Sequence, residues 1–511
     1  MKRRGFLQTA VGLPAILASS KLAPGEDLRA TNSKVVQRSR WWEAAGATIP
    51  VFIRDRKPKD AVFPLAPAAA AAKRLDEMRS AGITGIEIYA PAEGGNSFLG
   101  LDTINRYRLE PRTGATMEDF RHLVRLVHDR EMRIITIDNL GYASVESLDF
   151  LKACDDVRSG RDTRETRFFL WSDSADAPPP GSGGEDRYFL VRPDHLPGYS
   201  KETAAKHEFW QYSERARKYY WTKWEGVDLA GKPARLPQYN WASSEFQEEA
   251  TKIVRFWMDT GIDGMLIDAV NWYVGCNWHL SHRCMTDIIG VNGFSQPEGA
   301  GAFRDDPAAW VTEGGWTCIQ DYGLAIFWEK GSNVVSNAIE NGDPRPIESA
   351  LRNYHDRVEE AGGTLYFNPP KFDDPRKSHL AMALAAATGE LIVLAGVIDG
   401  LWTPILPDAE ESRILRLKRA HPALHTMGKR RMLPVAAADK HYAVLRTARD
   451  GSERVIVVMN FQPEEQPLTV NLSGVDFEEM TDLENASRVA RKLELNITLP
   501  GYGYRFFLLN R

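Results

Sequence analysis

The chain has 511 residues, of which 43% are hydrophobic and 26% charged, with 4 cysteines and a formal net charge of −5. That length predicts about two to four domains, and the composition excludes a disordered chain. The charge is mild and spread out with no basic block, which argues against nucleic-acid binding.

The N-terminus reads Arg3-Arg4-Gly5-Phe6-Leu7, followed by an apolar run through Ala18 and then small residues. This is the form of a twin-arginine export signal. Residues 1–23 are therefore excluded from fold reasoning, cleavage is expected between Ala18 and Ala23, and the mature protein is expected to be periplasmic or secreted. No other segment is long and apolar enough to span a membrane, so no membrane association is expected after cleavage. Cys154, Cys276, Cys284 and Cys318 lack metal-ligand spacing and read as buried thiols, with a Cys276–Cys284 bridge as the alternative.

From about residue 50 to residue 270 the pattern alternates strand and helix, which predicts a parallel sheet covered by helices. A strand at 49–53 precedes a helix at 68–81, where Leu75 and Met78 recur at helical spacing and Gly82 marks the stop. Residues 84–89 form a second strand. Residues 117–130 form a helix with an apolar stripe at Phe120, Leu123, Leu126 and Val127, and 132–137 form a third strand ending in Asp138. Roughly a hundred residues follow with a different texture: a Pro/Gly stretch at 176–184, and Trp171, Trp210, Trp221, Trp224 and Trp241 around it. Plain loop of that length is improbable, so an inserted subdomain is predicted at 144–241. A helix at 246–260 then leads to Met265-Leu266-Ile267, a short buried strand that delivers Asp268. Two later segments take the same form. The run Trp310-Val311-Thr312 ends in Glu313, and Thr364-Leu365-Tyr366-Phe367-Asn368 leads into Asp373-Asp374. From residue 427 short β runs at 442–446, 454–458 and 504–508 predict an all-β C-terminal domain, a β-sandwich, over 427–511. No internal repeat is present.

A carboxylate at the end of a buried strand needs a reason, because burying an unpaired charge is costly. In a β/α barrel those strand ends are where chemistry is built. Three acids on three successive strand ends suit glycoside cleavage, in which one carboxylate attacks the anomeric carbon and one carboxylic acid protonates the leaving oxygen.

Taken in order, these pieces resemble the α-amylase family of glycoside hydrolases, nearest the oligo-1,6-glucosidase type. The likeness rests on residues 74–86 before and into the second strand, Gly100-Leu101-Asp102 with Glu110-Pro111-Arg112-Thr113-Gly114, Ile135-Thr136-Ile137-Asp138, Gln238-Tyr239-Asn240-Trp241, residues 256–261, and the helix ending His421-Pro422-Ala423-Leu424. The resemblance implies a (β/α)8 TIM barrel over 36–143 and 242–426, interrupted after its third strand, and a retaining hydrolase of α-linked oligo- or polysaccharide. It further implies Asp268 as nucleophile, Glu313 as acid/base and Asp373 as the carboxylate that holds sugar hydroxyls in the transition state. The two catalytic acids must then differ in protonation, Asp268 depressed and Glu313 raised, with Trp310 and Trp316 as shields for the latter.

The chain also departs from the family pattern. Tyr142 and Ala143 stand where the family has an Asn-His pair, Leu266 where it has an arginine, Phe372 where it has a histidine, and Leu101 where it has an aromatic residue. The sugar-gripping set is therefore expected to be rebuilt. Asp138, Tyr142, Trp241, Trp272 and Trp316 are the candidates, with Lys371, Arg376 and His379 as substitute cations. These departures also sustain two alternatives, a carbohydrate-binding homologue without turnover and a transglycosylase. No cofactor is expected; the loop after the first strand, Arg54-Asp55-Arg56-Lys57-Pro58-Lys59, is basic and short of calcium ligands.

Overall fold

A computed structural model describes residues 40–54, 62–177, 209–270, 283–299, 306–325, 333–398 and 401–510. Eight parallel strands organise the molecule: β1 (Ala47–Phe52), β2 (Gly85–Tyr89), β3 (Arg133–Asp138), β4 (Gly264–Ile267), β5 (Phe294–Pro297), β6 (Cys318–Gln320), β7 (Thr364–Phe367) and β8 (Leu391–Val393). Their order is β5-β4-β3-β2-β1-β8-β7-β6. The two end strands meet where Thr317 N–H donates to the Ser295 carbonyl (3.2 Å) and Ser295 N–H donates to Thr317 Oγ1 (2.9 Å), so the sheet closes into a TIM barrel.

Strand side chains alternate between two faces. One set packs outward under the helices: Ile49 and Val51 of β1, Ile134 of β3, Met265 and Ile267 of β4, and Ile319 of β6. The alternate set fills the barrel: Ile135, Ile137, Leu266, Phe294, Cys318, Tyr366, Leu391 and Val393. Trp41 and Trp42 pack against Phe294, at ring centroids 5.6 and 5.7 Å away, and plug the N-terminal end of the barrel. The outer helices are cut to fit. Met117–His128 starts in a reciprocal Thr116/Asp119 capping box and buries Phe120, Leu123, Val124 and Val127. Ser244–Met258 is capped by the Ser243 side chain and buries Phe246, Ala250, Ile253, Val254 and Trp257.

Between β3 and the Ser244 helix the chain forms the helix Leu148–Arg158 and antiparallel strands at Trp171–Ser172, Phe209–Ser213, Lys218–Val227 and Pro233–Pro237. After the barrel, a six-stranded antiparallel sheet begins at Lys429–Met432. It shares a core with the antiparallel strand pair Gln466–Asn471/Glu494–Leu499 through Leu445, Ile456, Leu468, Val470 and Leu499. Arg430 ties this sheet to the barrel's helices through Glu348 and Asp356.

One expected strand is a helix. The run holding Trp310 belongs to a short helix, Pro307–Thr312, and Glu313 is its C-cap. Asp306 caps it by accepting Ala308 N–H, and Pro307 sits at the first helical position, where its missing N–H costs nothing. Cys276, one half of the suggested Cys276–Cys284 bridge, lies outside the described residues. The export signal, residues 55–61 of the basic loop, and Trp272 lie outside the described residues. No helix among the described residues is long and apolar enough to cross a membrane.

Candidate active site

Three neighbouring strands bring three polar side chains to one point. In register, β3 pairs Asp138 with Ile267 of β4, and β4 pairs Ile267 with Pro297 of β5. One residue further along, Asn139, Asp268 and Glu298 therefore stand side by side at the C-terminal mouth, on inward positions. Adjacent strands lie about 4.8 Å apart, so Asp268, in the middle, is within contact of the side chain on either side. The pairing is tight: a Cβ on Gly264 would lie 2.0 Å from the Phe294 carbonyl oxygen.

Asp268 receives a hydrogen bond from Asn139 Nδ2 on Oδ2 (2.9 Å). Asn139 has no freedom to turn away, because its own side-chain oxygen accepts Gly141 N–H (2.7 Å) and Tyr142 N–H (3.1 Å). Glu298 accepts Ala269 N–H on Oε2 (2.7 Å), while its own N–H donates to the Ile267 carbonyl (2.8 Å). Ala269 presents that N–H from a left-handed backbone conformation, φ 53°, an uncommon state for a residue with a side chain. The two carboxyl groups also hydrogen-bond each other.

Two like charges in contact cannot both ionise cheaply. Burial pushes Glu298 up to about 8, and the Asp268 charge adds to it against the pull of Ala269 N–H. Asp268 is pushed up to about 6 by burial and by the neighbouring Asp138, while the hydrogen bonds from Asn139 and Glu298 pull it down. The expected depression of Asp268 is thus reversed in sign. The order of the two groups still holds one proton on the pair near neutrality, resting on Glu298. A pair ordered in this way suits one group to act as carboxylate and the other as carboxylic acid.

Glu298, absent from the sequence reading, takes the place expected for Glu313. Glu313 precedes β6 and so lies at the N-terminal end of that strand, on the opposite side of the barrel from Asp268; its residue is exposed. Trp316 is fully buried beside Trp310 on the same side and offers no binding surface. Asp373 lies on the correct face, in the turn between β7 and the helix Pro375–Thr388, but it is exposed, and its neighbour Asp374 is spent as that helix's N-cap. The inward position at the end of β7 belongs to Asn368, whose buried Oδ1 has no hydrogen-bond partner among the described residues.

Asp138 is buried and held by Arg106 (3.3 Å). The same guanidinium donates to the carbonyls of Asn139 (2.6 Å) and Tyr142 (2.9 Å), so it shapes the turn that orients Asn139. Tyr142 packs with Ala90, Leu101 and Leu236 as an apolar wall. Trp241 is core, with its indole N–H on the Leu140 carbonyl (2.9 Å). The three suggested cations all have other work: Lys371 pairs with Glu411, Arg376 with Asp374 (2.7 Å) and His379 with Asp408 (2.7 Å). Asp321, His355 and Glu390 bring donor atoms within 4.8 Å of one another, the spacing of a metal site. His355 Nδ1 already lies 2.8 Å from Glu390 and 3.3 Å from Asp321, which makes this a charge-paired cluster as it stands.

Comparison with known proteins bears on the family and the fold. The family pattern "Alpha amylase, catalytic domain" matches residues 71–296, and "Maltogenic Amylase, C-terminal domain" matches 430–506. The first match includes Asp268 and stops two residues short of Glu298. An oligo-1,6-glucosidase of Bacillus cereus is 23% identical over 199 residues, 39% of this chain and 30% of that one. An α-glucosidase of Schizosaccharomyces pombe is 24% identical over 173 residues, 34% of this chain and 25% of that one. The matched stretch thus spans less than a third of either relative. Among solved structures, Eubacterium rectale Amy13B superposes with a TM-score of 0.66 at 14% identity, over 92% of this chain and 96% of its own. The α-amylase from H. orenii gives 0.63 at 16%, over 91% and 99%. These likenesses extend the shared fold over nearly the whole described chain.

Proposed function

Because this chain belongs to the α-amylase family of glycoside hydrolases, we propose that it cleaves α-linked oligo- or polysaccharide by double displacement, with Asp268 as nucleophile and Glu298 as acid/base. In the first step the Asp268 carboxylate bonds to the anomeric carbon, the glycosidic C–O bond breaks, and the Glu298 proton goes to the leaving oxygen. In the second, the Glu298 carboxylate takes a proton from water, which displaces Asp268 and returns both groups to their starting states. The observation that carries this reading is the direct contact of the two carboxyl groups across β4 and β5. Inverting enzymes hold their carboxyls about 6.5–9.5 Å apart to admit a water between them, whereas retaining pairs stand at about 5–5.5 Å. Asn139 and Ala269 N–H hold the two groups in their separate roles.

Asn368, and Asp373 above it, are the candidates for sugar hydroxyls at the end of β7. The replaced family groups, Leu266 under Asp268 and Ala143 in the turn, support a ring other than an ordinary α-glucosyl unit. The two carboxyls supply both nucleophile and proton, so the reaction calls for no cofactor. The Arg3-Arg4 segment supports export by the twin-arginine route.

The test is a screen of α-linked aryl glycosides and oligosaccharides against wild type, Asp268→Asn and Glu298→Gln. Turnover by wild type that is lost in both variants supports the assignment. Binding by calorimetry with no turnover on any substrate supports the carbohydrate-binding alternative, and a longer glycoside product formed from an added acceptor sugar supports transfer.

A further inference from the structure

Glu298 is held at its tip by Ala269 N–H, but a carboxyl that must give up and regain a proton also needs its backbone fixed. The residue after it supplies the handle. Gly299 N–H donates to the hydroxyl oxygen of Tyr322 at 2.7 Å, and Tyr322 is almost completely buried. Tyr322 comes two residues beyond β6, on the side of the chain that continues the inward positions of Cys318 and Gln320. Burial first, then the charge of Glu298, raises its hydroxyl well above the usual phenol range; Tyr354 and Asp268 contribute. The ring therefore stays a neutral phenol through the working range of the carboxyl pair.

The end of β6 is itself clamped from outside the barrel. Asp321 points outward, where His355 Nδ1 lies 3.3 Å from its carboxylate and 2.8 Å from Glu390. Asp321 Oδ1 accepts Leu324 N–H (3.0 Å), and Asp321 N–H donates to the Tyr366 carbonyl on β7 (2.9 Å). One residue before His355, Tyr354 donates its hydroxyl to the Gln320 carbonyl (3.0 Å). Tyr354 also packs so closely that a Cβ on Gly323 would lie 2.5 Å from its Cβ. Both belong to Leu351–His355, a single π-helical turn, a rare conformation found often at functional sites. Consecutive residues thus point opposite ways: Asp321 out to the clamp, Tyr322 in to the acid/base loop.

We propose that Tyr322 is a positioning residue for Glu298: by accepting Gly299 N–H from a strand end fixed by Tyr354 and His355, it holds the Glu298 carboxyl against Asp268 and Ala269. This rests on the reading of Glu298 as acid/base. It assigns β6, which contributes no acid of its own to the pair, the task of keeping β5's acid in place.

The test compares wild type with Tyr322→Phe, which removes the acceptor oxygen and keeps the ring. Carbon-13 at glutamate carboxyls, with the Glu298 signal identified by its loss in Glu298→Gln, reports the titration directly. In Tyr322→Phe the Glu298 carboxyl is expected to titrate about one pH unit or more lower, because it moves away from Asp268 and out of its buried contact. On any substrate turned over, kcat falls about 10- to 100-fold while KM changes little, as for a small misplacement of a reacting group. The alkaline limb of kcat/KM moves down with the carboxyl. A merely structural tyrosine would lower stability and leave both titration and limb in place, and that result overturns the proposal. If the variant does not fold, hydrogen exchange of the wild type decides: a Gly299 amide exchanging as fast as a solvent-exposed loop amide overturns it, and a protected one supports it. Should wild type turn over no glycoside, the functional reading fails, while titration and exchange still settle the role of Tyr322.

Discussion

Glu298→Gln set against Glu313→Gln separates the two glutamates most sharply. The glutamine at 298 keeps the Ala269 N–H contact through its amide oxygen and, like the protonated glutamate, places no second charge beside Asp268, so the fold is not expected to weaken. What it loses is the proton. General acid catalysis contributes typically 10²- to 10⁴-fold, equivalent to roughly 3–5 kcal/mol of barrier at 1.36 kcal/mol per decade. That loss should appear in kcat/KM for glycosides with poor leaving groups such as sugars. It should shrink for dinitrophenyl glycosides, whose leaving oxygen departs without a proton. Glu313→Gln removes an exposed charge from the C-cap of a short helix at the far end of the barrel. A carboxylate there opposes the helix dipole, so its loss should be neutral or stabilising by a few tenths of a kcal/mol, with kcat/KM within about twofold, as is usual for surface substitutions. The wild-type profile of kcat/KM should be a bell, rising as Asp268 ionises near pH 6 and falling as Glu298 loses its proton near pH 8. These limbs belong to the pair as a unit. Full activity in Glu298→Gln on poor leaving groups, or an equal loss in Glu313→Gln, would refute the assignment of the acid to β5.

Two further outcomes follow from charges inside the barrel. Glu87 of β2 is fully buried under the Tyr366 hydroxyl (3.2 Å), and burial raises its carboxyl from 4.5 to about 7. A raised carboxyl stabilises fully below its unfolded value and loses that contribution as pH climbs through 7, a swing of roughly 3 kcal/mol at 1.36 kcal/mol per pH unit. Glu87→Gln should therefore flatten the dependence of Tm on pH between 5 and 8; an unchanged slope would show that Glu87 is not the group responsible. Leu266→Arg places a cation two residues below Asp268, in the apolar layer of Ile137 and Phe294. It should pull the acid limb down by about 1–3 pH units, as opposite charges do at close range, while lowering Tm. A folded variant whose acid limb stays near pH 6 would show that the missing family arginine is not what leaves Asp268 raised.

The alternation of strands and helices through residue 270 was legible because its strands are apolar and its helices end at Gly82 and Gly261, signals of local chemistry. Asp268 was legible for the same reason: Met265-Leu266-Ile267 announces a buried strand. Glu298 was not, because its strand reads Phe-Ser-Gln-Pro. Two polar residues and a proline hide a strand whose Gln296 faces the barrel and whose Ser295 meets Thr317 at the closing seam. The clue was present in the Gly299 that follows it, but only the neighbouring strand gives it meaning. Glu313 misled in the opposite way. Trp310 and Val311 form an apolar run, yet Asp306-Pro307 ahead of them is the start signal of a helix, and an acid at a helix end carries no implication for a barrel mouth.

The acid pair and the sugar-gripping groups answer to different physics, and this explains why one survives while the other is rewritten. The distance between Asp268 and Glu298 is set by backbone spacing between two paired strands and by a glycine at 264 that admits no side chain. The groups that would hold a sugar ring come instead from the turn after β3, the inward residue under Asp268 and the segment after β7, where side chains can change without moving a strand. Ala143 and Leu266 are such changes, and Tyr142 has become part of an apolar wall with Leu101. Their replacement removes hydrogen bonds to a sugar without touching the contact that makes one carboxyl an acid and the other a base. Departures in the loops therefore bear on which ring is bound, and the register of β4 with β5 bears on whether it is cleaved.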